Sequence, residues 1–187
     1  MTEETQALLV IDVQNEYFTG RLPATFPEEC LSNIKKAMDH ASGAEVAVAV
    51  IVHTAAFADS PTFRRGSIEW KLHAEIEKRR RDILIEKSLP GSFTGTALES
   101  WLRERQVKRV VICGYMAQMC CDTTARQAFH LGFHVDLLSD ATGTLAVQNS
   151  AGSISAQELH RAVMVTQAMR FARVMKTDEW ISGRINI

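Results

Sequence analysis

Residues 110–133 read VVICGYMAQMCCDTTARQAFHLGF, and this stretch decides the fold class. The run RVVIC at 109–113 is continuously apolar except for its first residue, which predicts a strand buried on both faces. A helix is predicted over 120–131, and Gly132 is its stop signal. A buried strand followed closely by a helix is the repeating unit of a parallel sheet in an α/β protein.

The same alternation extends through the rest of the chain and predicts one α/β domain over 1–187, without a linker or an internal repeat. The irregular segment 55–69 is long for a compact domain, and such a loop is usually functional or covers something. Near-continuous apolar strands imply a parallel sheet covered by helices on both faces. The other predicted strands are 7–12, 45–54, 82–86, 134–139 and 173–176, and the other helices are 27–42, 96–105 and 155–171.

Composition excludes several classes of protein. The 187 residues are 46% apolar and carry a formal net charge of -1, so neither nucleic acid nor an anionic membrane is an expected partner. No apolar run reaches the roughly 18 residues of a membrane span, and the acidic start MTEETQ is not a signal peptide. We therefore expect a cytoplasmic protein whose 4 cysteines are reduced, with no zinc site because no CxxC pair or His/Cys cluster occurs.

Reactive side chains follow the predicted strands, at the carboxyl ends where ligands bind in open parallel sheets. Asp12 ends the first strand, His53 lies at the end of the second, and Lys87 follows the third. Cys120 lies where the loop after the fourth strand becomes a helix, and Asp140 follows the fifth strand. Position alone therefore predicts an acid, an amine and a thiol on one rim of the sheet.

A thiol at the start of a helix suits nucleophilic catalysis. Unpaired N–H groups and the helix dipole favour a thiolate at Cys120, and a nearby lysine would lower its pKa further. A carboxylate could take the thiol proton and pass it to a leaving amine, while the free N–H groups hold an oxyanion. The combination predicts acyl transfer to a cysteine followed by hydrolysis.

Each of these residues also has a purely structural interpretation. Asp12 could be a helix cap, Lys87 a solvated surface amine and Cys120 a packed small hydrophobe. We interpret the remaining cysteines as packing residues. Other enzyme signatures are absent from the sequence: GxGxxG, GxxxxGK[ST] and HExxH do not occur, and GSFTG at 91–95 has Phe93 where an α/β-hydrolase elbow has serine.

Three segments, in order, resemble the isochorismatase-like cysteine hydrolases, a superfamily that includes nicotinamidases and N-carbamoylsarcosine amidohydrolase. LLVIDVQNEYF at 8–18 is similar to the first-strand motif of that family. IEKSLPGSFTGTALESWL at 85–102 is similar to its lysine segment, and the stretch at 110–133 is similar to its nucleophile segment. Three motifs in the correct order and spacing are a specific signal that covers almost the whole chain.

The resemblance implies a three-layer α/β/α fold with a six-stranded parallel sheet in the order 3-2-1-4-5-6. It implies a catalytic triad of Asp12, Lys87 and Cys120, an oxyanion hole formed by the N–H groups of Met116 and Cys120, and a cis peptide bond between Tyr115 and Met116. Nicotinamidases carry an Asp-x-His metal motif after the second strand, whereas VHTAAFADSP at 52–61 has one histidine. We therefore expect no metal, no cofactor and a substrate other than nicotinamide; isochorismatases proper lack the cysteine, so isochorismate is not expected either.

The expected function is hydrolysis of a small-molecule amide C–N bond through a covalent acyl-thioenzyme. Two alternatives remain: hydrolysis of a small ester or thioester by the same triad, and a catalytically silent protein used for binding or assembly. The sequence departs from the family at Ala117, Gln118 and Cys121, which spares the triad and alters the substrate contacts. The expected substrate pocket is mostly apolar and suits a compact neutral amide; its candidate residues are Gln14, Phe18, His53, Phe57, Trp70, Phe93, Tyr115 and Gln118.

The last long helix predicts a homo-oligomer, either a dimer or a tetramer. Its apolar residues cover more of the circumference than one buried stripe requires. These residues are Leu159, Ala162, Val163, Val165, Ala168 and Met169.

Overall fold

The computed structural model describes residues 4–183, so both ends of the predicted domain, 1–3 and 184–187, lie outside the described residues. The strands are β1 Gln6–Ile11, β2 Ala47–His53, β3 Ile83–Lys87, β4 Arg109–Tyr115, β5 His134–Gly143, β6 Val147–Asn149, β7 Gly152–Ile154 and β8 Arg173–Met175. The helices are α1 Cys30–Gly43, α2 Ala74–Glu77, α3 Leu98–Glu104, α4 Asp122–His130, α5 Ala156–Arg170 and α6 Thr177–Ser182.

Six strands form one parallel sheet in the order β3-β2-β1-β4-β5-β8. This confirms the predicted order 3-2-1-4-5-6, in which β8 is the sixth strand of the sheet. The register pairs Ile11 with Ile51 of β2 and with Gly114 of β4, and it pairs His53 with Lys87. The ends of β1, β2, β3 and β4 therefore lie side by side, where the sequence predicted the reactive side chains.

Helices cover both faces of the sheet, so the fold has three layers. Alternate residues of β1 enter two separate apolar clusters: Leu9 and Ile11 pack towards α3, α4 and α5, and Leu8 and Val10 pack towards α1 and α6. All four side chains are fully buried. This is why the strands are almost continuously apolar in the sequence. Within residues 4–183, no helix has both the length and the apolar character that crossing a membrane requires.

Several short elements were not predicted. The antiparallel pair β6 and β7 has only three residues in each strand, and α2 has four residues, which is too short for a periodic pattern. Strand β5 continues to Gly143, four residues beyond the predicted end, with an irregularity in its pairing between Ile112 and Gly114. Polar residues in that extension, such as Asp140, concealed it in the sequence.

Gly114 lies where β4 passes closest to β1. Its φ is +122°, and a Cβ added there would lie 2.0 Å from the carbonyl oxygen of Ile11. That carbonyl precedes Asp12, so the glycine allows the end of β4 to approach the residue that ends β1. Side chains larger than hydrogen cannot be accommodated without moving one strand.

We predict that Gly114→Ala destabilises the fold by about 3 kcal/mol, because it combines backbone strain with overpacking of the sheet. Chemical denaturation monitored by circular dichroism measures this difference. The matched control is Gly43→Ala in the last turn of α1, where an added Cβ would meet nothing within 4 Å. An equal effect of the two substitutions would contradict the close-approach argument.

Helix α5 presents apolar residues on two sides. Met164 is buried and Val163 packs against the core cluster, as a helix on the sheet requires. On the other side, Val165 is 59% exposed and Met169 is 80% exposed, and they lie four residues apart on one face. The wide apolar circumference read from the sequence is therefore present as an outward-facing stripe.

We predict that a second copy of the chain covers this stripe. Light scattering at micromolar concentration should give the mass of a dimer or tetramer, and Met169→Glu should shift the distribution towards the monomer. Asp178→Lys on α6, a charge change away from α5, is the control and should leave the mass unchanged. A monomeric wild-type protein would contradict the prediction.

Candidate active site

Asp12 follows β1 in a left-handed backbone conformation, with φ of +51°. Its N–H still bonds to the carbonyl of Ile51 at 2.9 Å, and its carbonyl accepts from the N–H of Gln14 at 2.8 Å. Aspartate adopts this conformation more readily than most residues. The chain thus turns sharply at Asp12, which is fully buried at the carboxyl end of the sheet.

Lys87 is the centre of the candidate site. Its Nζ donates to Oδ2 of Asp12 at 2.7 Å and to Sγ of Cys120 at 3.3 Å. The side chains of Lys87 and Asp12 are both fully shielded from solvent. The acid, amine and thiol that the sequence predicted on one rim therefore meet at Lys87. Lys87 reaches both partners because β3, β2, β1 and β4 are consecutive in the sheet.

Cys120 lies in a wide helical turn, Ala117–Cys121, that leads directly into α4. The N–H groups of Met119 and Cys121 both donate to the carbonyl of Met116 at the start of this turn. Wide turns of the π type often occur at functional sites. The peptide bond between Tyr115 and Met116 is cis, as the sequence resemblance implied.

Burial raises the pKa of Cys120 above its ordinary value, and the nearby Asp12 carboxylate raises it further. The Lys87 ammonium opposes both effects and does not outweigh them. The lysine thus lowers the thiol pKa, as the sequence predicted, but the expected thiolate is not favoured, because burial and the acid raise that pKa by more. Burial also lowers the pKa of Lys87, but its interactions with Asp12 and then Cys120 outweigh that effect, and the pKa is raised.

One oxygen of the Asp12 carboxylate is unpaired among the described residues. Oδ2 of Asp12 accepts from Lys87, but Oδ1 is buried and has no hydrogen-bond partner among the described residues. A buried acceptor without a donor is energetically costly, at about 1–3 kcal/mol, and calls for a functional explanation. Oδ1 is thus free to accept a proton while Oδ2 stays bonded to the lysine.

His53 contacts the same lysine. Its Nδ1 lies 3.4 Å from Nζ of Lys87, and its ring packs edge-on against Phe63 at 5.1 Å between centroids. Burial and the Lys87 charge lower the pKa of His53, against the opposing effect of Asp12. The structure therefore places His53, predicted as a pocket residue, at the lysine itself.

Gln14 braces the backbone, which corrects its predicted role in the pocket. Its Nε2 donates to the carbonyls of His53 and Trp70 at 3.0 and 2.6 Å. Its Oε1 accepts from the N–H of His53 at 2.8 Å. Both amide hydrogens are used within the protein, so Gln14 ties the end of β2 to the loop before α2 and has no donor left for a substrate.

An aromatic cluster lies beside the candidate triad, and its central residue, Tyr17, was missed by the sequence analysis. Tyr17 stacks on Tyr115 at 5.2 Å and packs against Phe63 at 5.3 Å. Burial and then the Asp12 charge raise the pKa of Tyr17 well above its ordinary value. Phe18, the residue predicted instead, packs between His73 and Tyr115. The short helical turn Asn15–Tyr17 directs Tyr17 into the interior. The spacing of residues in the sequence does not reveal this turn.

Phe57 and Phe93 are two further residues that the sequence assigned to the pocket. Phe57 is 76% exposed in the loop after β2. After β3 the chain runs along α4, where the N–H of Phe93 donates to Gln127. Phe93 therefore stacks on Phe133, which precedes β5 at the opposite end of the sheet. The position of Phe93 corrects its assignment to the pocket wall, whereas that of Phe57 stays a prediction.

Trp70 and Gln118 bond to neighbouring loops. The indole N–H of Trp70 donates to Oγ1 of Thr54 at 2.7 Å, so it closes the long loop back onto β2. Oε1 of Gln118 accepts from the hydroxyl of Thr144 at 2.7 Å. Their contacts with a substrate stay predictions. Among residues 4–183, no group of three or more His, Cys, Asp or Glu side chains is arranged to hold a metal ion.

The fold and the site define a three-layer α/β hydrolase, and comparison with known proteins agrees. The family model of the isochorismatase domain matches residues 6–179, so the chain belongs to the isochorismatase family. The uncharacterized family protein YddQ of Bacillus subtilis is 31% identical over 95% of this chain and 99% of its own length. Nicotinamidase 3 of Arabidopsis thaliana is 29% identical over 92% of this chain and 85% of its own length.

Solved structures give the same result. The crystal structure of an isochorismatase homologue from Burkholderia xenovorans has a TM-score of 0.95 and 46% identity, covering 98% of this chain and 88% of its own. A cysteine hydrolase from Pseudomonas syringae pv. phaseolicola has a TM-score of 0.88 and 26% identity, covering 95% and 91%. The chain is thus a hydrolase of the isochorismatase family.

We predict that iodoacetamide alkylates Cys120 slowly at pH 7 and that the rate keeps rising with pH beyond about 8.5, the ordinary thiol pKa, without levelling off there. Asp12→Asn removes a charge that raises the thiol pKa and leaves the lysine that lowers it, so alkylation at pH 8 should become faster. Each unit of pKa is worth about tenfold in thiolate well below the midpoint. Mass spectrometry of the Cys120 peptide measures the rate.

The control is Cys120→Ala, which should take up no label. The other three cysteines are buried, and burial raises the pKa of each thiol, that of Cys30 to about 12. Slower labelling in Asp12→Asn than in the wild type would refute the electrostatic argument.

Proposed function

We propose that the protein hydrolyses the C–N bond of a small neutral amide through a thioester on Cys120. The observation that carries the proposal is the Lys87 ammonium between Asp12 and Cys120, 2.7 Å from the acid and 3.3 Å from the thiol. Membership in a hydrolase family and similarity to a protein named nicotinamidase 3 support an amide as substrate. The cytoplasm is the proposed location, and the four free cysteines are consistent with it.

The first half of the reaction forms the thioester. Because the thiol is protonated at rest, Asp12 takes its proton as Sγ attacks the carbonyl carbon of the amide. Oδ1 of Asp12 is the available acceptor, since Oδ2 stays bonded to Lys87. The N–H groups of Met116 and Cys120 are proposed to hold the oxyanion. The C–N bond then breaks as protonated Asp12 gives its proton to the leaving nitrogen.

The second half of the reaction hydrolyses the thioester and releases the carboxylic acid product. A water molecule attacks the thioester carbonyl, and the Asp12 carboxylate accepts a proton from that water. The C–S bond breaks, the carboxylic acid leaves, and the proton returns to Sγ as Asp12 is again ionised. Lys87 keeps its charge throughout and stabilises the developing thiolate and the carboxylate in turn.

A panel of small amides, including nicotinamide and N-carbamoyl compounds, should contain a substrate that releases ammonia. We predict that Cys120→Ala lowers kcat by about three orders of magnitude or more while the fold is kept. Asp12→Asn should lower kcat by about 10²–10⁴-fold because it removes the proton acceptor and keeps the shape. Steady-state ammonia release measures both, with circular dichroism to verify folding.

Cys121→Ser and Cys113→Ser are the matched controls, because both thiols are fully buried in the apolar clusters. Both variants should keep most of the activity. A dead Cys121→Ser together with an active Cys120→Ala would place the nucleophile one residue further on. Turnover of esters or thioesters alone, dependent on Cys120, would replace the amide by those substrates.

A further inference from the structure

The Lys87 ammonium has as many acceptors as it has hydrogens. An ammonium carries three N–H donors and cannot accept a hydrogen bond. Its Nζ lies 2.7 Å from Oδ2 of Asp12, 3.3 Å from Sγ of Cys120 and 3.4 Å from Nδ1 of His53. Since the lysine can only donate, Nδ1 of His53 must carry a lone pair. The imidazole is then neutral, with its proton on Nε2.

We propose that His53 is a positioning residue that holds the third hydrogen of Lys87 and presents an Nε2–H donor to an oxygen of the substrate. The proposal rests on the proposed amidase function and assigns His53 a role in it. Its two parts are separable, because Nδ1 acts on the lysine and Nε2 acts on the substrate.

The ring of His53 is fixed from several sides. Gln14 holds both its backbone N–H and its carbonyl, and Phe63 packs edge-on against the ring. The charged groups that face the ring are Lys87 at the end of β3 and Asp12 at the end of β1. Protonation of Nδ1 would remove the acceptor and place a second cation beside the ammonium, and burial opposes it as well. The lowered pKa of His53 agrees with this arrangement.

The other nitrogen is open. Nε2 makes no hydrogen bond to a described residue, and the His53 side chain is only partly buried. His53 ends β2, which lies beside β1 in the sheet, on the same rim as Asp12 and Cys120. A neutral N–H donor at that position suits an uncharged oxygen acceptor such as a carbonyl.

The first test is direct and independent of turnover. Long-range ¹H–¹⁵N correlation spectra of the wild-type protein, with the His53 signals assigned through their loss in His53→Asn, should show the neutral Nε2–H tautomer at pH 6.5. The titration midpoint should lie below the ordinary value of about 6.5 and rise in Lys87→Met, which removes the neighbouring cation. A proton on Nδ1 at pH 6.5, or a wild-type midpoint at or above 6.5, would overturn the proposal even if Lys87→Met fails to fold.

The second test separates the two nitrogens by kinetics on an amide that releases ammonia. In His53→Asn, the amide oxygen replaces Nδ1 as the acceptor for Lys87, but no donor replaces Nε2–H. We expect kcat within about threefold of the wild type and a KM raised about tenfold, the value of one lost hydrogen bond. His53→Ala removes both groups, so kcat should fall by about 10–100-fold as well. The acid limb of the pH profile that follows the His53 midpoint should be absent in His53→Asn.

The control is His134→Asn at the opposite end of the sheet, where the ring pairs with Glu4; it should leave kcat and KM unchanged. Equal kinetics for His53→Asn and His53→Ala would overturn the positioning role. If no amide is turned over, or if Cys120→Ala stays active, the proposed function fails, while the tautomer measured by NMR still decides the assignment of His53.

Discussion

Two opposite charges meet inside the protein where Asp12 and Lys87 pair at 2.7 Å, with neither side chain exposed. Removing ions from water costs several kcal/mol for each, and their attraction offsets this only with good geometry and further hydrogen bonds. The surrounding structure supplies these conditions. The left-handed turn at Asp12 brings the carboxylate to the lysine, and Cys120 and His53 accept the remaining ammonium hydrogens. Cys120 and His53 thus both contact the site through the lysine of this pair.

The pair also affects the protonation state of Cys120, the proposed nucleophile. A lysine alone would favour a thiolate at Cys120, but the acid and burial favour the thiol. The proton is therefore stored on sulfur, beside the oxygen of Asp12 that has no other partner. A protonated nucleophile is protected from adventitious oxidation and alkylation, since the thiolate is the reactive form. In the proposed mechanism, Cys120 loses its proton to Asp12 only when Sγ attacks the carbonyl group of a bound substrate.

The sequence was sufficient for what depends on pattern and insufficient for what depends on distant contacts. The sheet was predictable because strands buried on both faces must be apolar, and Asp12, Lys87 and Cys120 were predictable because they follow strands that share one rim. The bracing role of Gln14 was not, since its partners lie 39 and 56 residues away. The inward position of Tyr17 depends on one short turn, and the raised thiol pKa depends on burial, which no local pattern reports.

The position of β3 in the sheet has a consequence for the working lifetime of the enzyme. Lys87 is the last residue of β3, an edge strand whose one partner among residues 4–183 is β2. Edge strands open by local fluctuations that cost less free energy than opening of the central strands. Amide hydrogen exchange measures this difference. Fraying of β3 would withdraw the ammonium from Asp12 and Cys120 while β1 and β4 remain paired. Under the proposed mechanism, opening of β3 alone abolishes catalysis while the rest of the fold persists.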